Sequence, residues 1–145
     1  MARAEVSTVI NRTATVIFAY LVDWARGTEW QQQLLEVQQT SAGPAGLGTT
    51  IREVRSLMGR RIESAFKITE FELDRRVIFE STQAPFPMRA QYTLTPVPEG
   101  TEVAFTVEAE LTGIYKMAEP MVTHSAEIQL ESDFALLKQI LESET

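Results

Sequence analysis

The chain has 145 residues, with 13 Lys and Arg against 20 Asp and Glu for a formal charge of −7, one histidine and no cysteine. The missing cysteine excludes a disulfide framework, a thiolate zinc site and a cysteine nucleophile together, and the single imidazole excludes a multi-histidine metal site. The acidic balance argues against nucleic acid, whose binding needs a basic surface to displace counterions.

This length reads as one domain, residues 1–145, able to bury roughly 68–70% of its unfolded surface. Glu5 interrupts the opening segment at once, so it has no apolar run of the signal-peptide kind. No stretch approaches the ~20 uninterrupted apolar residues of a bilayer span. The expectation is a cytoplasmic protein without stable membrane insertion.

Residues Ala4 to Ile10 alternate and read as a first strand. Asn11 or Thr13 then caps a helix running to about Val22, because Ile17, Tyr20, Leu21 and Trp24 follow helical spacing. A second short helix is expected over Asp23 to Gln32, weakened by Gly27. From Leu34 the period changes to two. Strands are expected over Thr49–Leu57, Arg60–Phe71, Val77–Gln83, Met88–Thr95 and Thr101–Leu111, after a first alternation at Leu35, Val37 and Gln39. The intervening breaks are short and carry turn residues, as antiparallel hairpins require. One face of this sheet alternates polar residues, so the other face needs a cover.

The cover is the last quarter, where the helical period returns between Ile114 and Glu144, with Pro120 near its first turn or kinking it. Val122, Ala126, Leu130, Phe134, Leu137 and Leu141 form one apolar stripe, which reads as core. Met117, Met121, His124 and Ile128 form a second stripe on another face. Two apolar faces in the same half of one helix are explained if it covers a cavity and also touches a loop, a ligand or a second subunit, and a homodimer is one such use.

The catalytic search is mostly negative. His124 is the only imidazole, a weak catalytic candidate, and there is no Gly-x-Ser-x-Gly elbow and no phosphate-binding loop. With no cysteine and a single histidine, thiolate and imidazole metal ligands total one, so no metal and no cofactor are expected. Glu53 and Arg55, or Arg52 alone, point inward according to register. An inward Glu53–Arg55 pair would be a polar anchor deep in a pocket, whereas the simpler reading is a solvated outer face with cross-strand ion pairs.

Ala14-Thr-Val-Ile-Phe-Ala-Tyr-Leu-Val-Asp23 followed by Trp30 resembles the first helix of the START-like (SRPBCC) superfamily and the segment after it. Gly46-Leu-Gly48, Leu57-Met-Gly-Arg60, Ile68-Thr-Glu-Phe71, Tyr92-Thr-Leu94, Gly100-Thr-Glu-Val103 and the ending Leu136-Leu-Lys-Gln-Ile-Leu-Glu142 match as well. The resemblance covers nearly the whole chain and rests on structural motifs. It implies an α+β helix-grip fold, a curved antiparallel sheet wrapped around a long C-terminal helix, with an elongated apolar pocket between them. By phase and size, Phe66, Phe79, Met88, Tyr92, Phe105, Tyr115, Met121 and Val122 would line that pocket, with Trp24 and Trp30 as walls at its mouth. Trp30 counts with the cavity candidates. The function expected from this is binding or transport of an apolar small molecule such as a lipid, quinone or polyketide-like aromatic. A polyketide cyclase/dehydrase-like enzyme is the alternative, and a protein-binding, chaperone-regulator-like member is the third class.

Overall fold

The computed structural model describes residues 1–144. Seven strands, β1 (Ala2–Ile10), β2 (Leu34–Gln39), β3 (Thr50–Leu57), β4 (Arg60–Glu72), β5 (Arg76–Gln83), β6 (Met88–Val97) and β7 (Gly100–Ala109), form one sheet. Their order is β1-β7-β6-β5-β4-β3-β2, with every neighbouring pair antiparallel. Helix α1 (Ala14–Leu21) and a 3-10 turn (Trp24–Glu29) connect β1 to β2. Helices α2 (Gly113–Met117) and α3 (Glu119–Ser143) follow β7. This is a helix-grip fold: a curled antiparallel half-barrel closed by a long C-terminal helix.

Local chemistry explains the boundaries. Thr13, rather than Asn11, caps α1, its hydroxyl accepting from the Val16 N–H at 3.3 Å. The expected helix at Asp23–Gln32 is only a 3-10 turn, and Asp23 makes no side-chain cap bond there. The single C-terminal helix expected from Ile114 is divided at Ala118 (φ −104°, ψ 22°), because Pro120 lacks the N–H that would continue the ladder. The β3–β4 hairpin closes on Met58 and Gly59, both with positive φ (51° and 77°), the geometry of a type I′ turn. Gly100 has no substitute, since a Cβ there would lie 2.2 Å from the Ile10 carbonyl oxygen. The register shift at Ile68/Glu70 places a bulge in β4 at Thr69, and the one at Ala65/Phe66 places a bulge in β5 at Thr82; bulges bend the strand that carries them.

Helix α3 grips the sheet at both ends. Phe134, Leu137 and Leu141 are buried with Ile10, Ile17, Phe18, Ile68, Val77 and Val103 in the main core. Each such side chain contributes about 1.5–3 kcal/mol through burial. Polar ties reinforce this end: Arg12 Nη1 donates to the Leu141 carbonyl at 2.9 Å, and the Asn11 N–H donates to Glu142 at 2.9 Å. At the other end Val122 packs with Phe86 and Leu111 in a smaller cluster that Tyr115 and Ala118 join. Between the two anchors α3 turns Ser125, Ala126, Gln129, Leu130 and Asp133 toward the concave face of the sheet. Facing them are small strand residues, Ser64, Ala90 and Val107. The short side chains among them, Ser125 and Ala126 on the helix and Ser64 and Ala90 on the sheet, leave the middle unfilled, where other sheets have core.

Candidate functional site

The cavity between α3 and the concave sheet face is about 530 Å³, within the range of small-molecule sites. Period two in the strands builds its walls: Ile51, Glu53, Arg55 and Leu57 from β3, Ile62, Ser64 and Phe66 from β4, Met88, Ala90 and Tyr92 from β6. Met58 lines it while remaining 44% exposed, which puts the β3–β4 turn at the mouth. A second depression between β1, β7 and α3 is lined by Glu5, Glu102, Glu131 and Lys138 and resembles ordinary solvated surface.

Six of the nine cavity residues expected from sequence lie on this wall: Trp30, Phe66, Phe79, Met88, Tyr92 and Phe105. Four of them form an edge-to-face chain that Phe134 extends, with Phe66–Phe79 centroids 6.4 Å apart, Phe79–Tyr92 5.8 Å, Tyr92–Trp30 6.5 Å and Trp30–Phe134 5.8 Å. Such pairs hold the rings in defined orientations. Trp24 also lines the cavity, donating its indole N–H to Gln39 at 3.1 Å.

The other three lie elsewhere. Tyr115 packs on Phe86 (5.0 Å between centroids) in the smaller cluster, and Val122 is buried in that same cluster. Met121 is 64% exposed, because the stripe Met117–Met121–His124–Ile128 faces outward along its whole length. His124, the weak catalytic candidate, shares that outward face and is not among the residues that line the cavity.

The register places Glu53 and Arg55 inside and Arg52 outside. Arg52 Nε pairs with Glu63 at 2.7 Å on the convex face, where a second pair, Arg61–Glu36, lies on the same three strands. Those two pairs are the cross-strand surface bridges the simpler reading expects. The Glu53–Arg55 pair departs from that reading because both residues share the parity of Ile51 and Leu57. Arg55 grips Glu53 with Nε and Nη2, each at 3.1 Å, and Nη2 also donates to Gln31 Oε1 at 2.7 Å. Burial works against the Arg55 charge, but the adjacent Glu53 carboxylate outweighs it and holds the guanidinium pKa above its ordinary value.

Asp133 is the member of this group that sequence reasoning missed. It is buried (2% exposed), and Oδ1 accepts from the Gln32 backbone N–H at 3.1 Å and from Gln129 Nε2 at 2.8 Å. Burial raises its pKa above the ordinary carboxylate range, against the pull of both hydrogen bonds and of Arg55. Burial likewise raises the Tyr92 phenol, so it stays protonated at neutral pH. The available signal was Ser125, Gln129 and Asp133, a row of polar residues at steps of four beside the apolar stripe. Among the described residues no group of three or more metal-ligating side chains occurs, and no helix is long and apolar enough to cross a membrane.

A helix-grip sheet with a mostly apolar cavity under its long helix defines a START-like fold. The chain belongs to the polyketide cyclase / dehydrase and lipid transport family, whose model matches residues 1–142. No curated protein matches it by sequence. Among solved structures it is similar to a Thermus thermophilus protein (18% identity, 96% of each chain covered, TM-score 0.83). It is also similar to a START superfamily protein from Mycobacterium smegmatis (15% identity, 100% of each chain, TM-score 0.80). The Zhui aromatase/cyclase of a Streptomyces is a third likeness (13% identity, 97% of this chain and 93% of that one, TM-score 0.79). These likenesses establish the fold.

Proposed function

We propose that the protein binds or carries an apolar small molecule of the lipid, quinone or polyketide-like kind in the cavity between α3 and the sheet. The observation that carries this reading is the aromatic chain Phe66–Phe79–Tyr92–Trp30 lining an otherwise unfilled space of about 530 Å³. Such a lining rewards apolar surface removed from water at about 25 cal/mol per Å². The Glu53–Arg55 pair, Tyr92 and Asp133 orient the polar part of the molecule. Native mass spectrometry of the purified protein tests the proposal. The expected result is one retained apolar molecule per chain that is released on denaturation. A chain that arrives empty and takes up no apolar compound would refute it.

One observation favours a second reading, a cyclase/dehydrase-like enzyme. Two groups with raised pKa, Tyr92 and Asp133, share the cavity with the Arg55–Glu53 pair. On a poly-carbonyl substrate, Asp133 would take the proton from a carbon between two carbonyls. That carbon would bond to a second carbonyl carbon, and Tyr92 would protonate the resulting alkoxide oxygen. Turnover that is lost in Tyr92→Phe while binding persists would establish this reading; equal turnover in Tyr92→Phe would remove it.

A further inference from the structure

Three charged side chains reach the cavity wall, and they are unequally divided: two carboxylates, Glu53 and Asp133, against one guanidinium, Arg55. The single positive charge is not free to meet an anion, because Glu53 occupies two of its nitrogens in a bidentate grip. A carboxylate or phosphate entering this space would leave water for a site with no uncompensated cation and a second carboxylate nearby. Desolvation without a partner is the costly case for a charge.

Several of the hydrogen-bonding groups left over are donors, beside two acceptor oxygens without a bond among the described residues, Asp133 Oδ2 and Gln33 Oε1. Arg55 Nη1 makes no hydrogen bond among the described residues, since Nε and Nη2 carry all three of the contacts of that guanidinium. The Tyr92 hydroxyl lines the cavity, feels Arg55, Glu53 and Asp133 only through space, and has no hydrogen-bond partner among the described residues. The Trp30 indole N–H also has none, unlike that of Trp24. Unpaired donors in an apolar wall call for acceptor oxygens on the ligand.

We infer that the cavity selects uncharged molecules bearing carbonyl-type acceptor oxygens and rejects carboxylates and phosphates of the same apolar size. Within the ligand-binding reading, on which this rests, the Glu53–Arg55 pair is a selectivity device. Glu53 cancels the charge that would otherwise recruit anions, while leaving Arg55 able to donate. Glu53 is then the residue that sets the class of ligand, although it presents no donor of its own.

The test is displacement of an environment-sensitive apolar dye by three compounds of equal chain length: a long-chain methyl ketone, the methyl ester of a fatty acid, and the ionised fatty acid. The wild-type protein is expected to bind ketone and ester roughly tenfold or more tightly than the carboxylate. In Glu53→Gln the guanidinium loses its counter-charge, and the carboxylate is expected to gain on the ketone by a similar factor. A wild-type protein that binds the carboxylate as well as the ketone would overturn the inference and leave the ligand-binding reading standing. An unchanged ratio in a folded Glu53→Gln variant would overturn it as well. Failure of the dye and all three compounds to bind would instead overturn the ligand-binding reading itself.

Discussion

The Asp133 carboxylate of α3 accepts a hydrogen bond from the backbone N–H of Gln32 at 3.1 Å, tying the cavity-covering helix to the segment that follows the 3-10 turn. Two neighbours extend the seam, with Gln32 Nε2 donating to Ser132 Oγ at 2.8 Å and Gln33 Nε2 donating to Gln129 Oε1 at 3.1 Å. Removing the acceptor in Asp133→Ala is expected to lower stability by about 1–3 kcal/mol. Asp133→Asn keeps an acceptor oxygen at the same place and is expected to retain most of that stability. Urea unfolding reads the difference as a shifted midpoint at constant slope.

The same residue predicts a pH dependence of unusual sign. Its folded-state pKa is raised by burial above the unfolded value of 3.8. Between those two values the folded state binds more protons than the unfolded state, so the Asp133 contribution falls as pH rises and is flat above the folded pKa. Glu63 and Glu142, whose pKa values are lowered by Arg52 and Lys138, contribute in the opposite direction. Subtracting the Asp133→Asn stability profile from that of the wild type isolates the slope. A difference that rises with pH across the acid range would contradict the burial argument.

Filling the cavity should remove binding while sparing the fold. Ala90 is buried on β6 among the lining residues, directly opposite Phe79 on one side and Val107 on the other. Ala90→Phe projects a ring into the space, and apolar dye binding is expected to weaken by roughly tenfold or more. Circular dichroism and the thermal midpoint check that the sheet survives.

Substitutions on the outer stripe of α3 should do little. Met121→Arg would weaken binding if Met121 faced the pocket, but at 64% exposure it does not. Met121→Lys and His124→Ala are expected to leave dye affinity unchanged and stability within about 0.5 kcal/mol. A large loss of binding in either would place the ligand outside the cavity described above.

The strands and the grip of α3 were legible because burial imposes a period on apolar residues. Met88, Ala90, Tyr92 and Leu94 announce both a strand and its inner face, and Phe134, Leu137 and Leu141 announce the helix side that meets it. Polar residues carry no such signature. Glu53 and Arg55 alternate in phase with Ile51, yet the same letters suit a solvated face, and only the β3–β4 register settles which way they point. Met121 misled for the opposite reason. An apolar side chain four residues after Met117 looks like buried helix surface, whereas the helix side of the wall includes the polar row Ser125, Gln129 and Asp133, which an apolar pattern does not mark. A cavity is a deficit of side-chain volume between two layers, and single-residue hydrophobicity does not register a deficit.

The five methionines offer the most direct measurement of the central claim, that an apolar molecule is held between α3 and the sheet. Met88 lines the cavity and Met58 stands at its mouth, while Met117 and Met121 lie on the outer stripe at 85% and 64% exposure. Methyl NMR of methionine-labelled protein titrated with a long-chain methyl ketone reads all of them at once. The account predicts saturable shifts at Met88 and Met58 with Met117 and Met121 still. Shifts confined to Met117 and Met121, with Met88 silent, would contradict it.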